Sequence, residues 1–363
     1  MARNRGLYRP EFERDACGIG FVANIKGNKN HQVVSDALTI LENMEHRGAC
    51  GCESNTGDGA GILIQIPHAF FFDECLKAGV HLPSFGKYGV GFVFFPKEVR
   101  LREECRDIFS RAAEELGLEI LTWRKVPVNP ADIGFTARSV EPEMEQVFIA
   151  CPDNINDPMA FERKLFVLRN YSSHLINNSI KKDPIGFYIS SLSYKIIVYK
   201  GQLTSHQVRS YFSDLNNKKV VSALGLVHSR FATNTFPSWK LAQPFRFIAH
   251  NGEINTLQGN LNWIKANEKG YTSPYFTKEE MEMLLPIISS GNSDSASLDN
   301  MIELLTMTGR SLPHVMMMLI PEAWDGNDQM DPVKKSFYEY HADRKSTRLN
   351  SSHEWISRMP SSA

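Results

Sequence analysis

The amino-acid sequence predicts an α+β fold, and three patterns support this prediction. Segments with strand-like residues are interspersed with segments of helical periodicity, without the regular strand–helix alternation of a doubly wound sheet. Several predicted strands lie close together in the chain, which favours antiparallel pairing. Beyond residue 251 the periodicity is helical almost throughout.

Each predicted strand is rich in β-branched, aromatic or alternating apolar residues, and Pro67 and Pro96 stop two of them. The predicted strands are 21–25, 62–66, 88–95, 122–128, 146–151, 187–199, 224–228 and 245–250. Because segment 187–199 is long, it is predicted to be either one strand or a hairpin that turns around 190–193.

The helices are predicted from apolar residues at helical spacing. They are 33–44, 101–116, 157–176, 256–267, 278–285, 297–308 and 312–319. Gly48 stands where the C-cap of the first helix is expected, and Asp157 and Pro158 have the N-cap and N1 arrangement of the third.

The composition is that of a globular protein. The chain has 363 residues, 42% of them hydrophobic and 22% charged, which fits one large or two smaller domains. Its 40 basic and 41 acidic side chains give a net charge of -1, which argues against binding to nucleic acid. No apolar run approaches the roughly 18 residues of a membrane span, and the N-terminus is not a secretory signal. Six cysteines are too few for a disulfide framework, so a cytoplasmic location is predicted.

The C-terminal segment 343–363 is predicted not to belong to the fold. It contains six serines in 21 residues and no sustained apolar periodicity. It also resembles a translated library-adapter sequence at the end of an assembled gene fragment, and we exclude it from the fold prediction. The native chain is therefore expected to continue beyond Ala342.

The first loop that could carry chemistry contains Cys17, which is followed by Gly18 and leads into a predicted strand. A single cysteine is most often a buried apolar residue. Alternatively, Cys17 is a nucleophile. If cleavage made it the first residue, its own α-amino group, with a pKa of about 7.7–8.0, would supply the base that a thiol needs.

The second loop contains Arg47 and five glycines within 48–61. A phosphate cradle is a poor interpretation, because the order is helix, loop, strand and no Gly-Lys-Ser/Thr ending is present. The segment remains a tight loop in which Arg47 is available to an anion.

The third loop, 228–239, carries Arg230 at the end of a predicted strand. Taken alone, this arginine is most simply a solvated charge, but its planar guanidinium also suits bidentate capture of a carboxylate.

The fourth loop carries Asn251 and Gly252, which are a common turn pair or the two donors of an oxyanion hole. Asp294 is most plainly an N-cap, or it receives an ammonium group.

Taken together, the loops resemble those of the N-terminal class II glutamine amidotransferase region of glutamate synthase large subunits. The resemblance extends from about residue 6 to residue 341, and its strongest stretches are 16–21, 46–66, 228–262 and 293–299. It implies the N-terminal-nucleophile hydrolase fold, a four-layer αββα sandwich with two antiparallel sheets. The implied domain is 17–342, preceded by a propeptide, 1–16, and truncated at its C-terminus.

The resemblance also implies roles for residues. Cys17 matches the nucleophile that becomes N-terminal after propeptide removal, and Asn251 and Gly252 match the oxyanion-hole pair.

For the substrate, Arg230 matches the residue that holds the α-carboxylate of glutamine, and Asp294 matches the residue that receives the α-ammonium group. Arg47 and Thr233 match positions near the substrate.

The implied activity is hydrolysis of glutamine to glutamate and ammonia through a cysteinyl thioester. In the full-length enzyme the ammonia would serve glutamate synthesis from 2-oxoglutarate, with FMN and an iron–sulfur cluster in the synthase half and an NADPH-oxidising small subunit or ferredoxin as partner. No cofactor or metal is expected in this fragment, since its remaining cysteines lack cluster or zinc spacing. The alternatives are another class II amidotransferase, such as those making amino sugars or purine precursors, and a non-catalytic module of the same fold.

Overall fold

A computed structural model describes residues 18–51, 53–180, 186–230, 236–252, 254–255, 257–289, 291–343 and 350–351. Its strands are β1 Ile19–Ala23, β2 Ala60–Gln65, β3 Tyr88–Phe95, β4 Ile120–Lys125, β5 Glu143–Ala150, β6 Tyr188–Ser193, β7 Ile196–Gly201, β8 Leu224–Ser229, β9 Ile254–Asn255 and β10 Asn350–Ser351. Its helices are α1 His31–Asn43, α2 His68–Lys77, α3 Val99–Glu115, α4 Phe135–Ser139, α5 Pro158–Ser179, α6 Gln207–Tyr211, α7 Leu257–Asn267, α8 Lys278–Met283, α9 Asp294–Met307, α10 Leu312–Leu319 and α11 Pro332–Asp343.

The first sheet has the order β1-β8-β2-β7, and all neighbouring strands are antiparallel. Ile19 pairs with His228 and Ala60 pairs with Ser229. The start of β1, the start of β2 and the end of β8 therefore meet at one edge of the sheet. Helix α1 packs on this sheet, where a Cβ on Gly225 would lie 2.6 Å from the Ala37 Cβ, so glycine allows the close approach.

The second sheet has the order β4-β5-β3-β6 and is also antiparallel. Its strands and the two long helices α3 and α5 follow one another as βαββαβ, the connectivity of ferredoxin-like units. The two helices share a buried cluster with one face of this sheet, so the unit has its own core.

The two sheets meet along β6 and β7. The Ser190 hydroxyl donates to the Val198 carbonyl at 3.2 Å, and the Val198 N–H donates to Ser191 Oγ at 3.1 Å. The predicted segment 187–199 thus forms two strands that belong to different sheets. A hairpin turning around 190–193 is wrong, because β6 continues to Ser193 and pairs with β3.

Another cluster of buried apolar side chains joins α5 to helices α7 to α10, and it includes Phe245 and Ile248. Segment 245–250, predicted to be a strand, is not one. Its backbone hydrogen bonds go to a turn and to side chains. The Phe245 N–H donates to the Ile248 carbonyl at 2.9 Å, the Phe247 N–H donates to Asp299 Oδ1 at 2.8 Å, and Gln243 binds the backbone of His250.

Two predicted caps also differ from the structure. Helix α1 ends at Asn43, and Gly48 instead follows a short 3-10 turn at Glu45–Arg47. The N-cap of α9 is Ser293, whose hydroxyl accepts from the Ala296 N–H, so Asp294 is the first helical residue.

The predicted fold class is confirmed, since the structure is α+β with two four-stranded antiparallel sheets flanked by helices. Helices α2, α4, α6 and α11 were not predicted from the sequence. No helix in the described part of the chain is long and apolar enough to cross a membrane.

Candidate active site

Three of the predicted loops converge where β1 and β2 begin and β8 ends. The Ser229 N–H donates to the Gly18 carbonyl at 2.8 Å, and the Arg230 N–H donates to the Gly59 carbonyl at 2.8 Å. The Ala49 N–H donates to the Arg230 carbonyl at 3.2 Å. These bonds tie the backbones of the first three loops to one another.

The fourth loop reaches the same place through Asn251. A Cβ on Gly18 would lie 3.0 Å from Asn251 Nδ2 and 2.6 Å from the Ser229 carbonyl oxygen. Only glycine leaves room for the Asn251 amide there, so this amide lies against the first residue after Cys17. Cys17 itself and Thr233 lie outside the described residues.

His228 orients the Asn251 carboxamide. The His228 Nε2 atom lies 2.7 Å from Asn251 Oδ1, and because an amide oxygen only accepts, Nε2 carries the hydrogen. This bond occupies Asn251 Oδ1 and leaves Asn251 Nδ2, which also lies close to Gly18, to act as a donor. Burial lowers the pKa of His228 to about 4, so the imidazole is neutral near pH 7.

Gln243 fixes the residue before Asn251. Its Nε2 donates to the His250 carbonyl at 3.1 Å, and its Oε1 accepts from the His250 N–H at 3.0 Å. The Asn251–Gly252 pair was predicted to follow a strand, and the structure holds it by this side chain instead.

Arg230 is only 8% exposed. Burial lowers the pKa of its guanidinium, while the carboxylates of Asp58 and Asp294 act in the opposite direction. Burial likewise lowers the pKa of His250 against the opposing charge of Asp294. The charge of Asp294 therefore acts on both Arg230 and His250. Arg230 and Asp294, the residues predicted to bind the α-carboxylate and the α-ammonium group, lie within electrostatic range of each other.

Asp58 was not singled out from the sequence. It is buried in the glycine loop before β2, and its N–H donates to the Ala49 carbonyl at 2.9 Å. An acidic residue between two glycines, Gly57 and Gly59, was the signal that could have found it.

Arg47 belongs to the turn that abuts the end of β8. A Cβ on the adjacent Gly48 would lie 2.7 Å from Ser229 Oγ. The Arg47 Nε atom is buried and has no hydrogen-bond partner among the described residues. Beside this turn lies a cavity of about 30 Å³, which Arg230 and Ser205 also line.

A larger cavity of about 260 Å³ lies elsewhere, between the first sheet, α5 and α9. Leu63, Leu226, Phe247 and Glu303 are among the residues that line it. It contains none of the predicted site residues.

Residues 17–347 match the family of class II glutamine amidotransferases. The chain belongs to this family. It is 46% identical over 342 residues to the NADPH glutamate synthase large chain of Bacillus subtilis, an alignment that covers 94% of this chain and 22% of that protein. It is 47% identical over 348 residues to the NADH glutamate synthase of Schizosaccharomyces pombe, covering 94% and 16%. It is 39% identical over 332 residues to ferredoxin-dependent glutamate synthase 2 of a Synechocystis strain, covering 91% and 21%.

The chain therefore spans roughly a fifth of the length of the curated relatives it matches. The resemblance inferred from the four loops is confirmed at the level of the family.

The pKa shifts of the described cysteines indicate whether any of them is activated as a nucleophile. Burial raises the pKa of Cys75 and of Cys105 to about 12, and burial also raises the pKa of Cys50 and Cys151. None of these four has the lowered pKa of an activated thiol. In the described part of the chain, no group of three or more His, Cys, Asp or Glu residues could hold a metal ion.

Proposed function

We propose that this chain is the glutaminase domain of a glutamate synthase and hydrolyses glutamine through a thioester on Cys17. The observation that carries the proposal is the convergence of Gly18, Arg230 and Asn251 at one sheet edge, in a chain of the class II family. The family match begins at residue 17, which supports a mature N-terminus at Cys17.

The charged ends of glutamine suit the two ionic side chains. The Arg230 guanidinium would bind the α-carboxylate in a bidentate pair, and Asp294 would receive the α-ammonium group. Arg47 and Thr233 would lie near the bound substrate. The fixed α-carbon then sets the reach of the side chain, so that the δ-carbonyl falls on the Cys17 sulfur.

In the reaction, the Cys17 thiolate attacks the δ-carbonyl carbon, and the carbonyl π electrons become the oxyanion. Asn251 Nδ2 and the Gly252 N–H would donate to this oxyanion, and each such donor is worth roughly 2.7–4 kcal/mol of the barrier. The oxyanion then collapses to the thioester carbonyl, and the C–N bond breaks as the Cys17 ammonium gives a proton to the amide nitrogen, which leaves as ammonia. Water then hydrolyses the thioester to glutamate and regenerates the thiol.

The α-amino group of Cys17 is a better base than His228. A base whose pKa is lowered to about 4 binds a proton weakly near pH 7, and His228 Nε2 already donates to Asn251. An α-amino group has a pKa of about 7.7–8.0, which is close to the working pH.

The ammonia would be used by the rest of the parent enzyme to make glutamate from 2-oxoglutarate in the cytoplasm. FMN and an iron–sulfur cluster would be held in that part of the parent enzyme. Ferredoxin or an NADPH-oxidising small subunit would supply electrons. The relatives include NADPH, NADH and ferredoxin-dependent enzymes, so similarity in this domain does not identify the electron donor of the parent enzyme.

The full-length protein provides the test. We expect intact-mass analysis and N-terminal sequencing of active protein to find Cys17 as the first residue, and we expect Cys17→Ala to abolish ammonia release from glutamine. Glutamate formation that requires 2-oxoglutarate would distinguish a glutamate synthase from other class II amidotransferases. Full activity with residues 1–16 still attached would overturn the proposed base.

A further inference from the structure

We propose that Gln243 is a positioning residue, which holds the Asn251–Gly252 pair at the place where the oxyanion forms. This inference rests on the proposed glutaminase function. The Gln243 carboxamide acts through His250, to whose N–H and carbonyl it makes two hydrogen bonds, at 3.0 and 3.1 Å.

The two hydrogen bonds from Gln243 take the place of pairing with a neighbouring strand. A residue in a sheet exchanges an N–H and a carbonyl bond with a neighbouring backbone. Segment 245–250 has no strand partner among the residues that the structure describes, and the Gln243 carboxamide supplies the same donor and acceptor to His250. His250 directly precedes Asn251 in the chain. The position of the His250 backbone therefore determines the positions of the Asn251 side chain and of the Gly252 N–H.

Gln243 is itself held rigidly. It is 5% exposed, and a Cβ on Gly61 of β2 would lie 2.9 Å from the Gln243 carbonyl oxygen, so the two backbones are in close contact. Three residues earlier, the Lys240 carbonyl accepts from Nζ of the buried Lys200 on β7 at 2.9 Å. The segment is therefore anchored on the same sheet that carries Arg230.

A second contact acts on the same amide from the other side. His228, on β8, donates to Asn251 Oδ1 at 2.7 Å and so leaves the nitrogen of the carboxamide to donate elsewhere. His228 thus sets the rotation of the side chain and Gln243 sets the position of its backbone. Loss of Gln243 would let residues 250–252 shift without removing the bond between His228 and Asn251.

The chemistry of an amide matters at position 243. Methionine has a similar length but cannot donate, and its sulfur is only a weak acceptor. Glutamate accepts from the His250 N–H but turns a second oxygen towards the His250 carbonyl, where two acceptors oppose each other. Both substitutions should misplace the oxyanion donors, and a displacement of about 1 Å can cost about 100-fold in rate.

We would test this in the full-length mature enzyme with Gln243→Met and Gln243→Glu, measuring glutamine hydrolysis. We expect kcat to fall about 10- to 100-fold while KM for glutamine stays within about 3-fold, because the oxyanion exists only on the reaction path. The matched control is Gln146→Met, which removes another buried glutamine that binds Arg124 and Tyr199 far from the loops. Its kcat should be unchanged.

A double-variant cycle separates positioning from general loosening. If Gln243 acts through Asn251, then Gln243→Met should lower kcat much less in an Asn251→Ala background than in the parent. The effects of Gln146→Met and Asn251→Ala on kcat should instead be additive. Retention of kcat within about 3-fold in both Gln243 variants, or full additivity with Asn251→Ala, would overturn the inference. A parent enzyme without any glutaminase activity would instead overturn the proposed function.

Discussion

The orientation of one carboxamide links the residue scale to the chemistry. Asn251 offers an oxygen and a nitrogen of nearly equal size, and the neutral His228 imidazole binds the oxygen. The nitrogen is then left to donate, while both ends of the carboxamide lie close to Gly18, the residue after the predicted nucleophile. A donor, which an oxyanion requires, is thereby selected over an acceptor.

Asn251→Ala should therefore lower kcat by about 100- to 1000-fold and leave KM for glutamine nearly unchanged. Steady-state kinetics of glutamine hydrolysis by the mature enzyme would measure this. The control is Asn262→Ala on the exposed side of α7, which should have no effect. If kcat of Asn251→Ala stays within about 3-fold of the parent, the residue only forms a turn.

Arg230→Lys should raise KM for glutamine by about 10-fold or more with little change in kcat. Lysine keeps the charge but loses the planar fork, and the α-carboxylate is bound about equally in the ground and transition states. The control is Arg209→Lys, since Arg209 pairs with Glu42 away from the loops. An unchanged KM would reject Arg230 as the carboxylate ligand.

The sequence indicates candidate site residues more readily than the side chains that support them. Arg230, Asn251 and Asp294 each stand in a short motif for which the family resemblance implies a role, and these roles stay predictions. Asp58 had a signal in the sequence, its place between two glycines, whereas Gln243 had none, because its role depends on which backbone the fold brings next to it. Gln243 faces His250 only because 245–250 leaves the sheet.

At the scale of elements, periodicity predicted most bounds well. Strand β3 and helix α10 have the predicted limits, 88–95 and 312–319. The strand predicted at 245–250 is wrong because its apolar residues are buried against helices. Phe245 and Ile248 pack in the cluster around α9, and burial alone gives the same pattern as a strand.

A buried ionic cluster joins three elements near this segment. Glu303 of α9 pairs with Arg169 of α5 and with Arg246, whose Nε lies 3.0 Å from Glu303 Oε2. Asp299 of α9 also pairs with Arg246, at 2.8 Å. All four side chains are buried, so each charge depends on its partners.

Glu303→Ala should therefore lower the free energy of unfolding by about 3–5 kcal/mol, because Arg169 would be left as a buried, uncompensated cation. Urea unfolding followed by tryptophan fluorescence would measure the change. The control is Glu322→Ala, which removes an ion pair with Lys334 at the surface and should cost no more than about 1 kcal/mol. Equal losses in the two variants would mean that the cluster does not bind α5 to α9.

At the scale of the whole molecule, burial of imidazoles couples the fold to pH. Burial lowers the pKa of His228, His250, His174 and His68. These side chains lie in different parts of the fold, so the effect is distributed. His228, which is 1% exposed, has the value most clearly displaced, about 4 against an unfolded value of about 6.5.

Between those two pKa values the unfolded chain binds more protons than the native one. The free energy of unfolding should therefore fall as the pH is lowered from about 7 to about 4, and His228 alone should account for up to about 3 kcal/mol of the loss. Urea unfolding at a series of pH values would measure the slope. His228→Gln should reduce this slope. The difference in slope between variant and parent isolates the contribution of His228 from that of groups such as Glu162. Burial raises the pKa of Glu162, so this carboxyl group changes the stability in the opposite sense. Equal slopes in the parent and His228→Gln would show that His228 is not kept neutral by the fold.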